Sequence, residues 1–407
     1  MHRGHKPLRQ KWTLEPRWRP HNRRFAPYSR AAFNADQQRL LPNLAMPFAR
    51  PLNIPMPQWL GTLLLAFLGA QACLWANTPI PWMLGPLIVT ATASMAGAPT
   101  YSLPLMRKFG QATIGLSLGL YFTPDMVALI GRLWWAIGLA IVWSLAMGYL
   151  CGVWLYRLNK ERNPDLQRST TYFSGAIGGA SEMTQLAERE GGRADWVASA
   201  HSLRVLLVTI TIPFAMQWGQ FNGHAMWQSS PIAFDPWGLA ALIVLSGLSV
   251  ALLRRFHSAN PWFLGSLAVG IVVTALGQSW TSIPSALSQA AQMFIGISLG
   301  VQFTPRFLRT APQWLASVGL STLSMMGLSV LFSWLIAQAI DLPTATLVLG
   351  TAPGGMAEMT ITAKVLQLGV PIVTAFQVSR LVAILILVGP IYSWWVAPNN
   401  GPVKTSG

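Results

Sequence analysis

The sequence predicts an all-α, polytopic integral membrane protein made of two tandem repeats, and three observations predict it. Charge is scarce: of 407 residues, 52% are hydrophobic and 10% are Asp, Glu, Lys or Arg, where a soluble domain carries about 25% charged side chains. Apolar runs such as 59–76 and 133–156 approach the length of about 20 residues with which a helix spans a bilayer. The chain also matches itself in four blocks, in one order, at offsets of 180, 181 and 176 residues.

Residues 1–50 form a basic tail. They hold 11 of the 28 Lys and Arg and 2 of the 12 Asp and Glu, so the rest of the chain keeps +7 of the net +16. Prolines interrupt this stretch, it lacks apolar periodicity, and it contains no apolar core of a secretory signal; it reads as disordered and cytoplasmic. The remaining cations sit in short loops, as expected for membrane orientation, so no nucleic-acid contact is expected from the membrane part. Cys73 and Cys151 both lie inside apolar runs, which argues against a disulfide framework or a cysteine metal site.

The first repeat, 57–216, reads as six apolar segments at 58–76, 81–97, 107–122, 132–157, 169–188 and 193–216. A polar linker at 217–235 follows. The second repeat, 236–396, has segments at 237–253, 261–277, 289–303, 312–338, 344–366 and 371–394, and 397–407 is a C-terminal tail. The matching blocks fall at equivalent places. Pro81-Trp82-Met83-Leu84-Gly85 pairs with Pro261-Trp262-Phe263-Leu264-Gly265. The run from Gln111 to Pro124 pairs with that from Gln292 to Pro305. Gly178-Gly179-Ala180-Ser181-Glu182-Met183 pairs with Gly354-Gly355-Met356-Ala357-Glu358-Met359, and Arg204 pairs with Arg380. Thr123-Pro124 and Thr304-Pro305 are expected to end short segments and start amphipathic stretches.

Six crossings per repeat would make the halves parallel and put Arg254 and Arg255 outside. About five crossings, with the Gly-Gly-x-x-Glu segment broken or re-entrant, leave only Arg132 and Lys364 outside. The positive-inside rule therefore favours an inverted repeat with a cytoplasmic N-terminus.

Ten of the acidic residues lie in the tail or in loops; Glu182 and Glu358 are the exceptions, at equivalent positions. Each is followed 22 residues later by Arg204 or Arg380. A turn at Gly191-Gly192, and at Gly369-Val370-Pro371, would bring Glu and Arg to similar depth, about 15 Å from the tip of a helical hairpin. An ionisable group there costs several kcal/mol unless paired or hydrated. The expectation is a Glu–Arg pairing in each repeat, either as a structural clamp or as an ion and substrate site. Gly178-Gly179 and Pro353-Gly354-Gly355 are expected to break a helix, so that the next half-helix offers free N–H groups to an anion. The first break, with Ile177 in place of Pro353, is expected to be softer. Gln302 and Gln377 are cavity-lining candidates, Gln377 standing where the first repeat has His201. No His/Asp/Glu spacing suggests a metal, and no cofactor or nucleophile motif appears.

The runs Gly115-Leu116-Ser117-Leu118-Gly119, Gly296-Ile297-Ser298-Leu299-Gly300 and Thr351-Ala352-Pro353-Gly354-Gly355-Met356-Ala357-Glu358-Met359 resemble those of the Gram-negative AbrB membrane family, over about 57–394. That resemblance implies a duplicated hydrophobic unit and a role in regulating gene expression; some members carry an ammonia monooxygenase label. More distantly, the Pro-Gly-Gly break before a final helix looks like the bile-acid/sodium symporter fold, with inverted five-helix repeats around discontinuous helices.

The reading that follows is an inner-membrane secondary transporter, not an enzyme. It would carry a small anionic solute coupled to a proton or cation, using Glu182, Glu358, Arg204, Arg380, Gly178, Gly179, Pro353, Gly354, Gly355 and Gln377. Its partners are the lipid bilayer and a small-molecule or ion substrate, and an oligomer is compatible with it. A membrane-embedded regulator is the alternative, and an ammonia monooxygenase ranks below both.

Overall fold

A computed structural model describes residues 56–221, 233–256, 260–305, 312–340 and 342–396. The basic tail, most of the linker, the C-terminal tail, and Arg306, Arg309 and Lys404 lie outside the described residues. Among the described residues every regular element is helical. The order is α1 (Met56–Trp75), α2 (Pro81–Met95), α3 (Pro104–Gly119), α4 (Pro124–Arg132), α5 (Trp134–Lys160), α6 (Arg168–Gly175), α7 (Ala180–Arg189) and α8 (Ala194–Trp218). Then come α9 (Pro236–Arg255), α10 (Pro261–Ala275), α11 (Ser285–Gly300), α12 (Pro312–Ala337), α13 (Thr344–Thr351), α14 (Met356–Val365) and α15 (Val370–Ile391), which continues as a π-helical turn, Tyr392–Val396.

Helices α1, α5, α8, α9, α12 and α15 with its π turn are long and apolar enough to cross a membrane. A seventh span results if α3 and α4 are counted together, although the chain bends by 87° between them. The chain is thus an all-α polytopic membrane protein. Local chemistry fixes many of the starts. Proline occupies the first turn of α2, α3, α4, α9, α10 and α15, where its missing N–H costs nothing. Thr123 caps α4 by accepting from the Met126 N–H at 3.4 Å, so the Thr-Pro pair does end one helix and begin another. Asp235 caps α9 by accepting from the Gly238 N–H at 2.8 Å.

Two groups of helices result. One contains α1, α2, α3, α9, α10 and α11; the other contains α5 to α8 and α12 to α15. Within the first group the packing is crosswise, α3 lying on α10 and α11 lying on α2. The glycines make this contact. A Cβ at Gly115 would strike the Phe263 carbonyl oxygen and one at Gly119 would strike that of Leu267. Gly296 and Gly300 stand in the same relation to Met83 and Leu87. These Gly-x-x-x-Gly pairs let backbones touch, which is the packing available to helices that lack a hydrophobic drive toward each other in lipid. In the second group, Trp314 of α12 packs on Trp196 of α8 with ring centres 4.8 Å apart, and its Nε1–H donates to the Trp196 carbonyl at 3.2 Å. Helices α14 and α15 pack on α3 and join the two groups.

The two expected interruptions are present, and they are twins. Helix α6 stops at Gly175 and α7 starts at Ala180; α13 stops at Thr351 and α14 starts at Met356. The residue that leaves each first half-helix is extended, Ala176 at φ −56°, ψ 138° and Ala352 at φ −53°, ψ 138°. The glycine that enters each second half-helix is extended too, Gly179 at φ −68°, ψ 138° and Gly355 at φ −72°, ψ 144°. The break with Ile177 is therefore as complete as the one with Pro353. Proline is not what opens it.

Candidate functional site

Each break brings together three kinds of group: carbonyls at the end of one half-helix, N–H groups at the start of the next, and the side chains that meet them. The arginines take the carbonyls. Arg204 donates through Nη1 to the Ala176 carbonyl at 2.8 Å and through Nη2 to the Ser174 carbonyl. Arg380 donates through Nη1 to the carbonyls of Ala352, at 2.6 Å, and Thr351, at 3.3 Å, and through Nη2 to that of Gly354 at 3.2 Å. Both guanidinium groups are buried. A cation at the C-terminal end of a helix also meets the negative end of its dipole.

Beside each arginine a second side chain bonds the carbonyl one turn back. His201 Nε2 lies 2.9 Å from the Phe173 carbonyl, and Gln377 Nε2 donates to the equivalent Leu349 carbonyl at 2.6 Å. Gln377 Oε1 then accepts from Arg380 Nη2 at 2.5 Å. Gln377 is thus a buried part of the arginine's support, while Gln302 faces open space. Ser202 Oγ donates to Gln302 Oε1 at 3.2 Å.

The carboxylates take the other end. Glu182 and Glu358 both fall in the first turn of the second half-helix, three residues after its N-cap glycine. Each folds back so far that a Cβ on that glycine, Gly179 or Gly355, would overlap the carboxylate Oε2. The glycines therefore do two things: they let the chain leave the helix, and they clear the place where the acid sits. Glu358 is 7% exposed and interacts with its own backbone N–H. Glu182 is half-buried and accepts from Ser181 Oγ at 3.3 Å.

The expected Glu–Arg pairing does not form. Among the described residues the only ion pair within 4.0 Å is Arg193 with Asp195, on the surface. The reason is local: the unwound half-helix ends present buried carbonyls closer to each guanidinium than its carboxylate. At the start of each second half-helix the acid lies beside its N-cap glycine, and Glu358 interacts with its own N–H. In both breaks the carbonyl end is therefore held by an arginine, and an acid stands at the start of the next half-helix.

Both breaks face one cavity of about 510 Å³ between the two helix groups. Every expected site residue, Glu182, Glu358, Arg204, Arg380, Gly178, Gly179, Pro353, Gly354, Gly355 and Gln377, lines it. The first helix group adds Arg107 and Lys108 at the start of α3, Ser298 of α11, and Gln302 in the turn after it. The Arg107 charge acts favourably on the Glu358 carboxylate, and Lys108 Nζ stands 5.8 Å from the Trp262 ring centre. Four cationic side chains thus face two acids, an excess of two positive charges. Among the described residues no three His, Cys, Asp or Glu are grouped to hold a metal ion.

Lys364 is absent from the expected site residues, the charge count addressing only its side of the membrane. It is half-buried, and its Nζ donates to Ser117 Oγ of α3 at 2.6 Å and to Ser288 Oγ of α11 at 3.4 Å. It therefore ties α14 to the other helix group. Its position six residues after Glu358 on the same short helix was the available signal. Arg107 and Lys108 were likewise read only as loop charges.

The model of a family described as transition state regulatory protein AbrB matches residues 82–396. A relative from Escherichia coli (strain K12), named "Putative regulator AbrB", is 26% identical over 352 residues, which cover 84% of this chain and 98% of the relative. A second, "Uncharacterized protein YhjN" of Bacillus subtilis (strain 168), is 25% identical over 337 residues, 77% of this chain and 86% of the relative. No solved structure matches.

Proposed function

This chain belongs to the AbrB family, and we propose that it is a secondary transporter in a bacterial inner membrane, moving a small anionic solute coupled to a proton or cation. One observation carries the reading: two broken helices, each with its own acid and arginine, open on a single cavity between two helix groups. Irregular backbone at membrane depth is sustained only where protein or water satisfies it, and discontinuous helices of this kind form solute sites in inverted-repeat transporters. The positive excess of the cavity suits an anion. Glu358, buried and without a cationic partner within ion-pair distance among the described residues, is the group assigned to the coupling proton or cation; Glu182, more open to the cavity, assists it. Arg204 and Arg380 hold the breaks in shape, and Arg107 and Lys108 attract the solute.

In this reading the repeats are inverted, the N-terminus is cytoplasmic, and access alternates by movement of one helix group against the other. The contact of Lys364 with Ser117 and Ser288 then breaks whenever the cavity changes sides. The test is flux in liposomes reconstituted with the full chain, screening anions under an imposed proton or sodium gradient. Gradient-driven flux that disappears in Glu358→Gln is expected. Undiminished coupled flux in a correctly inserted Glu358→Gln chain overturns the assignment of that residue. A regulator is the second reading, favoured by the printed name of the Escherichia coli relative. It predicts that deleting residues 1–45 changes gene expression without changing flux.

A further inference from the structure

A second cavity, of about 550 Å³, lies where the end of α5 meets the start of α6 and the π-helical turn, and none of the residues of the two breaks lines it. Its chemistry differs from that of the first. Arg157, Lys160 and Arg168 border it together with Tyr156 and Trp395, and Glu161 is the acid among its lining residues. The three cations outnumber that acid by two. None of them makes an ion pair within 4.0 Å, since the ion pair among the described residues is Arg193 with Asp195. Instead two of them converge on one ring: the Lys160 Nζ is 5.4 Å and the Arg168 guanidinium carbon 5.1 Å from the centre of Tyr156. Two like charges beside one aromatic ring repel each other, and a ring quadrupole returns only about 0.5–1 kcal/mol per exposed cation. An anion shared by these cations would offset that repulsion.

The surroundings say which anion. Trp395 lines the cavity and is 64% exposed, its neighbour Trp394 is 73% exposed, and α5 presents Leu150 and Leu158 outward from the same end. Exposed tryptophans beside a basic cluster at the end of a spanning helix mark the headgroup level of a bilayer, where their amphipathic rings settle. The π turn, Tyr392–Val396, is what turns Trp395 to the cleft, its ring meeting Tyr149 of α5 edge-on at 6.2 Å. Such turns recur at functional sites.

We propose that this cleft is a binding site for the phosphodiester headgroup of an anionic phospholipid, with Arg157, Lys160 and Arg168 on the phosphate and the acyl chains along the exposed apolar face of α5. A basic pocket between spanning helices is suited to this, each cation near the headgroups contributing about fivefold in affinity. A soluble anion would use the cations but gain nothing from the apolar face.

The full chain, purified in mild detergent, is incubated with an equal mixture of phosphatidylglycerol and phosphatidylcholine, and the retained lipid is read by native mass spectrometry. The wild-type chain is expected to retain phosphatidylglycerol in preference. Each of Arg157→Gln, Lys160→Gln and Arg168→Gln should reduce that preference about fivefold. Arg189→Gln, an exposed cation of α7 that does not line the cleft, should leave it unchanged. Excess inorganic phosphate should not displace the lipid. Equal retention of both lipids, an unchanged preference in all three single variants, or complete displacement by inorganic phosphate each overturns the proposal. If the Arg168 variant loses its fold, judged by its elution in detergent, the other two decide the question alone.

Discussion

Replacing Gly355 by alanine should change sign according to whether Glu358 is present. The backbone of Gly355, φ −72°, ψ 144°, is open to any L-residue, so the methyl group brings no backbone strain. Taken alone, it narrows the unfolded ensemble and stabilises by about 0.4–1 kcal/mol. In the folded chain, however, the new Cβ overlaps the place of Glu358 Oε2, so the carboxylate has to leave its position over the start of α14. It then loses its interaction with its own N–H and with the positive end of the half-helix. A hydrogen bond to a charged group is worth about 1.5–3 kcal/mol, and the dipole adds about 0.3–1. The net expected for Gly355→Ala in the wild-type background is a destabilisation of about 1–3 kcal/mol. In a Glu358→Ala background nothing occupies the space, and the same substitution should be neutral or stabilising. Thermal unfolding of four chains in detergent (wild type, each single variant and the double) reads the difference. Gly327, whose added Cβ meets nothing within 4 Å, supplies the control, because alanine there should never destabilise. Equal destabilisation by Gly355→Ala in both backgrounds would refute the reasoning, since the glycine would then be serving something other than the acid.

Arg380→Gln removes donors from the carbonyls of Thr351, Ala352 and Gly354, and should lower stability by about 3 kcal/mol or more; Arg380→Lys, with fewer and less spread donors, should recover only part of it. Both are read by unfolding in detergent, and a neutral Arg380→Gln would mean that the half-helix ends are held by other groups. Lys364→Met keeps the length of the stem but loses the bonds to Ser117 and Ser288. A cysteine-accessibility assay across the cavity should show the alternative side opening more often, with little change in unfolding temperature; unchanged accessibility would remove Lys364 from the gating scheme.

Much of this arrangement was legible in the sequence because it rests on local signals. The two Gly-Gly steps, the duplicated acids and the proline-led helix starts each act within a few residues, so periodicity and motif spacing reveal them. The arginines were legible as positions and not as contacts. Arg204 and Arg380 bond carbonyls 26 to 30 residues earlier in the chain, and nothing in a one-dimensional pattern says whether a guanidinium will choose a carboxylate or a helix end. The crosswise packing was hidden for the same reason. The Gly115/Gly119 and Gly296/Gly300 pairs were visible as repeated runs, yet that each contacts the opposite repeat depends on how the whole chain is routed. Charge counting addresses only the side of the membrane on which Lys364 stands, and the two serines of other helices that bond it are invisible to such a count.

The duplication also explains how the chain sustains two helix breaks in an apolar setting. A half-helix has a positive end and a negative end, and breaking a spanning helix at its middle creates one of each with no water to satisfy them. Here the acid belongs to the half-helix whose positive end it covers, three residues after the glycine, and the arginine arrives from the next long helix to cover the negative end. Each repeat therefore carries a self-contained set, Glu182 with Arg204 and Glu358 with Arg380, joined through helix dipoles instead of through an ion pair. This places a constraint on coupling. Because Glu358 lies at the start of its half-helix and not on Arg380, neutralising it removes negative charge from that N-terminus while leaving the arginine's bonds to the carbonyls intact. On the proposed transport reading, an anion in the cavity can then take the place of the lost charge, so that binding of a coupling proton and binding of the solute would reinforce each other. The opposite result, solute binding weakened in Glu358→Gln, would require the carboxylate to hold a cation that the anion needs. A binding measurement on that variant, once an anion has been found, separates proton from cation coupling without any flux being measured.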